Sequence, residues 1–215
     1  MFDLDLPTLI SRIIILIIAF TVHEFSHAKV ADLFGDMTPR ANGRLTLNPL
    51  RHLDPMGSLL LLFAGFGWAR PVPLNPYALS RRAPSALMWV SLAGPASNFF
   101  LAILGAIPLR AGILPTSFGG AAFLPTPVDF MFEFVWVNLA LMLFNLIPLA
   151  PLDGSKIAEY FAPPSLARVL ETIAPYGPVI LLAVVFIGPR LGLNIFDLIM
   201  TQPLINLYLL LTGGF

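Results

Sequence analysis

The chain has 215 residues, of which 57% are hydrophobic and only 11% are charged, and its mean hydropathy is +0.85. Soluble domains carry about 25% charged residues, so this composition argues against a soluble globule and favours one bundle of membrane helices. Twelve basic and twelve acidic residues cancel without a long basic run, which argues against a nucleic-acid partner. The lack of cysteine excludes disulfides, thiol catalysis and cysteine-ligated metals.

The first predicted helix covers residues 8–33 and contains the apolar run IIILIIAF at 13–20. A cleaved signal peptide is the alternative for such an N-terminal stretch. It fits poorly, because Asp3 and Asp5 stand where a basic region should precede the apolar run, and because the helix continues into polar residues at His23. We therefore expect this helix to remain in the membrane.

The connector after this helix changes character twice. Residues 36–53 are polar and rich in turn formers, and Asn42-Gly43 predicts a small β-hairpin there. Residues 56–67 are apolar, but they are fewer than the about 20 residues that a helical crossing needs. Residues 68–84 are rich in proline and predict irregular or extended backbone.

Stronger apolar spans follow at roughly 85–108, 130–151, 172–188 and 193–212. With the first helix they predict an all-α polytopic membrane protein of about five transmembrane helices, plus the short apolar element and the hairpin region. We expect one membrane-embedded domain over residues 1–215, with a catalytic core at about 8–155 and a C-terminal helix pair at about 168–212.

Positive charge orients these spans. Seven of the twelve basic residues lie between the apolar part of the first helix and the span at 85–108, namely Lys29, Arg40, Arg44, Arg51, Arg70, Arg81 and Arg82. Cytoplasmic loops of membrane proteins carry an excess of lysine and arginine, so the connector is predicted to lie in the cytoplasm. The first helix would then run inward from an external N-terminus.

The pattern HExxH, formed by His23, Glu24 and His27, lies in this first helix. Residues four apart on a helix are about 40° apart around the axis and one turn along it, so both imidazoles can reach one metal ion. Zinc accepts imidazole nitrogen and keeps a position for water, from which Glu24 could take a proton. The structural alternative is a set of polar residues that only hydrogen-bond within a buried helix. Ionisable groups inside an apolar span cost free energy, however, and are by default functional.

A catalytic zinc site needs a third protein ligand. Asp153, at the end of the span 130–151, is the favoured candidate, although an interfacial turn with Gly154 is its structural alternative. Glu133, at the start of the same span, is better explained as an interfacial charge, and His52 as a loop residue.

The depth of Asp153 depends on how often the chain crosses the membrane. His23 and His27 lie in the last third of an inward-running helix, near the cytoplasmic side. If 56–67 were a crossing, the span 130–151 would end outside, far from the histidines. Because basic residues flank 56–67 on both sides, we expect a re-entrant element that dips in and returns, which places Asp153 at the depth of the histidines.

These motifs resemble those of the site-2 protease family of intramembrane zinc metalloproteases, over most of the chain. HExxH at 23–27 matches the first family motif, and the stretch from Asn145 to Gly154, with two prolines and Asp before Gly, matches the second. GPASN at 94–98 resembles the GPxxN signature. NPLRHLDPMG and GWARPVPLNP look like the short bacterial and archaeal members, which consist of little beyond the protease core.

The resemblance implies hydrolysis of peptide bonds in membrane-spanning or membrane-associated proteins, with Glu24 as general base and one Zn²⁺ per chain. Three spans, at 8–33, 85–108 and 130–151, would form the core, and the connector would form a membrane-associated sheet that presents extended substrate. Asn145 is similar to the family's substrate-orienting asparagine, with interhelical hydrogen bonding as its structural alternative; for Asn98 the structural role is favoured.

The implied setting is the cytoplasmic membrane of a prokaryote, with the active site near the cytoplasmic side. The expected partners are the lipid bilayer and a membrane protein or peptide substrate; a second copy of the chain or a regulatory membrane partner is left open. No soluble stretch is long enough for a PDZ-like or CBS-like domain, so substrate gating is expected to be absent or supplied by a partner.

Two rival functions stay open at this stage. A different class of membrane metalloprotease would use a glutamate as third ligand, for which Glu159 and Glu171 are the options. A non-proteolytic metal-binding membrane protein is the other, either a transporter or a silent regulator. The sequence shows no internal repeat, which disfavours a transporter, and Glu24 is intact, which disfavours a silent regulator.

Overall fold

The structure is a computed structural model that describes residues 5–64, 68–115, 124–193 and 197–214. The α-helices in these ranges are α1 Leu6–Leu33, α2 Thr38–Ala41, α3 Pro55–Ala64, α4 Pro76–Arg82, α5 Ala86–Arg110, α6 Pro127–Asn145, α7 Asp153–Phe161, α8 Pro164–Ile173, α9 Gly177–Leu182 and α10 Gln202–Thr212. Short 3₁₀ segments cover Pro49–Arg51, Ala174–Tyr176 and Pro189–Leu191, and π-helical segments cover Ala183–Ile187 and Asp197–Thr201.

Four helical runs among the described residues are long and apolar enough to cross a membrane: α1, α5, α6 and the continuous run Pro164–Ile187. The all-α membrane class is thereby confirmed, but the expected count of about five spans is not. Within the described residues, the last apolar segment is helical over Asp197–Thr201 and Gln202–Thr212, fewer than the about 20 residues of a perpendicular crossing. α6 also ends early, because Pro148 and Pro151 cannot continue it to residue 151.

Helix α5 is the centre of the bundle and packs against α1, α6 and α7. The main hydrophobic cluster joins it to α6 and α10 through Ala102, Ala106, Leu109, Val135, Leu139, Met142 and Leu204. Small residues let these backbones approach closely, since a Cβ at Gly105 would lie 2.7 Å from the ring of Phe134. This close packing of α1, α5 and α6 fixes the frame that carries the candidate site.

The predicted β-hairpin at Asn42-Gly43 is wrong, and a helix end stands in its place. Pro39 lies in the first turn of the short helix α2, where its missing N–H has no partner within the helix to lose. Gly43 has a φ of +66°, Gly43 N–H donates to the Arg40 carbonyl, and Arg44 N–H donates to the Pro39 carbonyl. This is a Schellman helix end, which uses glycine with positive φ just as a tight hairpin does.

A sheet in the connector, implied by the family resemblance, is likewise not found in the part of the chain that the structure describes. One isolated antiparallel bridge, between Leu53 and Ala69, occurs there, and Arg70 N–H donates to the His52 carbonyl at 2.8 Å beside it. The two ends of the segment that carries α3 therefore lie side by side.

Arg44 holds this arrangement together from inside. Its buried guanidinium donates to the carbonyls of Arg51, Arg70 and Pro71, which belong to both arms of the connector. Burial lowers the pKa of Arg44, with Arg70 adding to the effect and Glu24 opposing it. The connector is thus anchored within electrostatic reach of the HExxH motif.

Candidate active site

The HExxH residues lie in the uninterrupted helix α1, which has proline only in its first turn and is capped by Asp5, whose side chain accepts from Thr8 N–H. His23, Glu24 and His27 are all buried. The two imidazole centroids are 4.6 Å apart, as the one-turn spacing predicts. The rigid helix therefore presents both rings to one point between α1 and α5.

Asp153 reaches this point because the chain turns sharply after α6. Gly154 permits that turn: a Cβ there would lie 2.3 Å from the Leu146 carbonyl oxygen, so the start of α7 packs directly on the end of α6. Oδ2 of Asp153 then lies 3.2 Å from Nε2 of His23 and 3.2 Å from Nε2 of His27. One ligand atom from each of the three residues falls within 4.8 Å of the others, which is close enough for one metal ion.

Hydrogen bonds on the far side of each ring set the tautomers. Nδ1 of His27 lies 2.7 Å from the Val90 carbonyl oxygen, and Nδ1 of His23 lies 2.6 Å from Oδ1 of Asn98. Both oxygens can only accept, so both Nδ1 atoms carry a proton, and in the neutral imidazoles both Nε2 atoms keep a lone pair. This is how metal-binding histidines are usually oriented.

The donor set fits a cation. Oδ2 of Asp153 is buried and has no hydrogen-bond partner other than the two Nε2 atoms, which lie 3.2 Å away. When both imidazoles are neutral, three lone pairs converge on one point, and two imidazoles with one carboxylate form a donor set that suits catalytic zinc.

Gly94 on α5 closes one side of the site. A Cβ at this position would lie 2.4 Å from Nε2 of His27 and 2.5 Å from Nε2 of His23. The GPxxN signature was noted in the sequence, but nothing there indicated that its glycine faces both metal-binding nitrogens. Its structural meaning is close approach of the α5 backbone to the two rings.

Asn98, four residues later, links the site to α6. Its side chain contacts His23, donates to Oδ1 of Asn138 at 3.0 Å, and lies 3.4 Å from the Ala19 carbonyl. Sequence reasoning favoured a structural role for Asn98 and missed Asn138 altogether. The available signal was a second amide in an apolar span, two helical turns before Asn145.

The other sequence candidates lie apart from this cluster. Glu133 pairs with Arg12, and Glu159 pairs with Lys156. His52 is a loop residue, but a fully buried one, whose Nε2 contacts the Thr46 carbonyl. Asn145 is half-buried at the end of α6, where its amide nitrogen donates to the Leu141 carbonyl. Among the described residues, His23, His27 and Asp153 are the one group that could hold a metal ion.

Comparison with known proteins identifies the family of this chain. Residues 111–185 match the model of peptidase family M50. The chain is 45% identical over 182 residues to the candidate zinc metalloprotease YwhC of Bacillus subtilis (strain 168), covering 82% of this chain and 80% of that protein.

Two mycobacterial proteins are also similar. The candidate zinc metalloprotease Rip2 of Mycolicibacterium smegmatis is 32% identical over 85% of this chain and 69% of its own length. Rip2 of Mycobacterium tuberculosis (strain H37Rv) is 32% identical over 82% of this chain and 66% of its own length. No solved structure gives a significant match. The chain therefore belongs to peptidase family M50, the site-2 protease family of zinc metalloproteases.

Proposed function

We propose that this metalloprotease hydrolyses peptide bonds of membrane-spanning or membrane-associated proteins at one zinc site held by His23, His27 and Asp153. The observation that carries the proposal is the convergence of two imidazole Nε2 atoms on a buried carboxylate oxygen, beside the helices α1 and α5, which are apolar enough to span a membrane. Zinc bound there would supply a Lewis acid that polarises the scissile carbonyl and acidifies water.

Glu24 is the general base in this proposal. It follows His23 on α1 and is buried beside the cluster, where few water molecules compete for its carboxylate. Its carboxylate takes a proton from the attacking water as the oxygen bonds to the carbonyl carbon. The same proton then passes to the leaving amine when the C–N bond breaks, which returns Glu24 to its starting state.

Asn145 is proposed to orient the substrate. Its amide nitrogen is used within α6, whereas its Oδ1 has no hydrogen-bond partner among the described residues. A peptide must leave the helical state before its carbonyl can be attacked, and its freed N–H groups then need acceptors in an apolar setting. Oδ1 of Asn145, at the end of α6 and just before the turn that leads to Asp153, could accept one of them.

The site is proposed to lie near the cytoplasmic face. His23 stands 17 residues after the start of α1, about 26 Å along a helix that rises 1.5 Å per residue. The basic residues of the connector gather at this end of α1. Because Leu53 and Ala69 are bridged, we infer that the segment between them, which carries α3, enters the membrane and returns without crossing it.

The test compares membranes that contain the active chain with membranes that contain the Glu24→Gln variant. Membrane proteins that are shortened only by the active chain identify substrates, and purified candidates are then cleaved in reconstituted vesicles. We expect cleavage by the unmodified chain, none by Glu24→Gln, and zinc bound to both. Equal processing by the two chains would refute the proposal.

A further inference from the structure

We propose that Asn138 is a positioning residue that acts through Asn98 to hold His23 in its metal-binding tautomer, an inference that rests on the ligand set proposed above. Asn98 and Asn138 are both fully buried, on α5 and α6 respectively. The side chain of Asn138 hydrogen-bonds to Asn98 and to the Phe134 carbonyl rather than to any of the three ligands, and its neighbours along α6 are apolar.

The hydrogen bonds form a chain with one direction. The Phe134 carbonyl can only accept, and it takes its bond from the amide nitrogen of Asn138 at 2.9 Å. The amide oxygen of Asn138 therefore faces Asn98 and accepts from Nδ2 of Asn98 at 3.0 Å. That contact leaves Oδ1 of Asn98 facing His23. Each acceptor thus fixes the orientation of the next amide, starting from a backbone carbonyl that cannot reverse.

The last link decides what His23 can do. Oδ1 of Asn98 accepts at 2.6 Å from Nδ1 of His23, so in the neutral ring Nε2 keeps its lone pair on the side of Asp153. If the Asn98 amide were reversed, its NH₂ group would face Nδ1 and favour a proton on Nε2 instead. A proton there would remove a metal ligand, so the orientation of one buried amide controls the ligand state of His23.

Asn138 makes the stronger of the two hydrogen bonds that fix the orientation of the Asn98 amide. The other acceptor near Nδ2 of Asn98 is the Ala19 carbonyl at 3.4 Å, which is at the long limit for a hydrogen bond. His27 differs, because its Nδ1 is held by the backbone carbonyl of Val90. No side-chain substitution can reverse that acceptor. The two histidines are therefore unequal: the tautomer of His23 depends on two side chains, and that of His27 on none.

The experiment measures the zinc dissociation constant of the purified full chain in detergent by competition with a chelator. Asn138→Ser keeps a hydroxyl that can bond the Phe134 carbonyl but is too short to reach Asn98. We expect it, and also Asn138→Leu, to weaken zinc binding by about 10- to 100-fold. Asn138→Asp should restore binding, because a buried neutral carboxyl can donate to Phe134 and accept from Asn98.

A packing control separates positioning from loss of stability. Val135→Ala, at a fully buried position one turn away on α6, should lower the thermal midpoint while leaving the zinc dissociation constant unchanged within about twofold. Cobalt-loaded protein gives a second readout: its absorption band should change in Asn138→Ser and not in Val135→Ala. Unchanged zinc affinity in both Asn138→Ser and Asn138→Leu would overturn the proposal.

A double-mutant cycle tests the route. If Asn138 acts only through Asn98, then adding Asn138→Leu to Asn98→Leu should change the zinc dissociation constant by less than about twofold. Independent, multiplying losses would overturn the relay. His23→Ala is the reference: zinc affinity that survives this change overturns the ligand set and the relay with it. If His23→Ala loses zinc and the Asn138 variants do not, the relay alone fails.

Discussion

A Cβ placed on Gly94 would lie 2.4 Å from Nε2 of His27, nearer than any real side chain tolerates. The backbone of α5 is therefore in direct contact with the proposed metal-binding nitrogens of α1. This relation ties the GPxxN signature to the HExxH motif through space, although about 70 residues separate them.

Gly94→Ala should abolish zinc binding, because the added methyl group must displace both imidazoles or the α5 backbone. Gly105→Ala is the matched control on the same helix, where the new Cβ meets the flexible ring of Phe134 at 2.7 Å. We expect that control to lose thermal stability and to keep its zinc. The measurements are the metal content, by elemental analysis, and the thermal midpoints of both variants. Zinc retained in Gly94→Ala would contradict the close approach of the α5 backbone to the two imidazoles.

Asp153→Ala should remove zinc, since two imidazoles alone make a poor catalytic site. Glu159→Ala and Asp129→Ala are controls, because Glu159 pairs with Lys156 and the Asp129 carboxylate accepts from the Thr126 hydroxyl at the start of α6. Zinc per chain after dialysis is the measurement. Loss of zinc in Glu159→Ala, with retention in Asp153→Ala, would instead support the rival class with a glutamate ligand.

Glu24→Gln should lower the cleavage rate by at least about 10²- to 10⁴-fold, because the amide cannot take the proton from water. Zinc should stay near one ion per chain, since Glu24 is outside the metal-binding group. Single-turnover cleavage of a reconstituted membrane substrate, with metal content from the same sample, checks both statements. Activity close to that of the unmodified chain would remove Glu24 from the role of base.

Arg44→Met should loosen the connector. The guanidinium donates to three carbonyls in two chain segments, and hydrogen bonds to charged groups contribute about 1.5–3 kcal/mol each. We expect faster hydrogen exchange at Arg70, whose N–H bonds the His52 carbonyl. Arg40→Met is the control, because its pair with Asp32 is exposed on the arginine side and contributes about 0–1 kcal/mol. Equal exchange in both variants would show that Arg44 is not the anchor.

Topology can be tested cleanly because the chain has no cysteine of its own. Leu50 and Tyr77, which flank α3 and are 81% and 70% exposed, are replaced one at a time by cysteine. In both variants an impermeant maleimide should label the new thiol from the cytoplasmic side, whereas Leu6→Cys should label from outside. Labelling of positions 50 and 77 from opposite faces would mean that the segment between them crosses the membrane.

Local patterns explain which parts of the fold were predictable. The apolar helices and the HExxH face follow from helical periodicity, which needs no knowledge of the partners. Asn42-Gly43 was misjudged, because glycine with positive φ serves a tight hairpin and a helix end equally well. The local sequence does not distinguish a hairpin from a helix end. The structure does, because the Arg44 N–H donates to the Pro39 carbonyl and closes a helical turn.

Residue type and spacing on one helix are enough to predict a membrane metalloprotease with two histidine ligands, an adjacent glutamate and a short set of acidic candidates. Asp153 was favoured among these by its place at the end of an apolar span, and the expected number of membrane crossings was consistent with its depth. The atoms that meet became known from the folded arrangement: Oδ2 of Asp153 lies near the two Nε2 atoms, Gly94 lies against both rings, and Asn138 lies behind Asn98. Contacts between helices depend on how their backbones approach and rotate, and residue spacing within one helix carries no information about either.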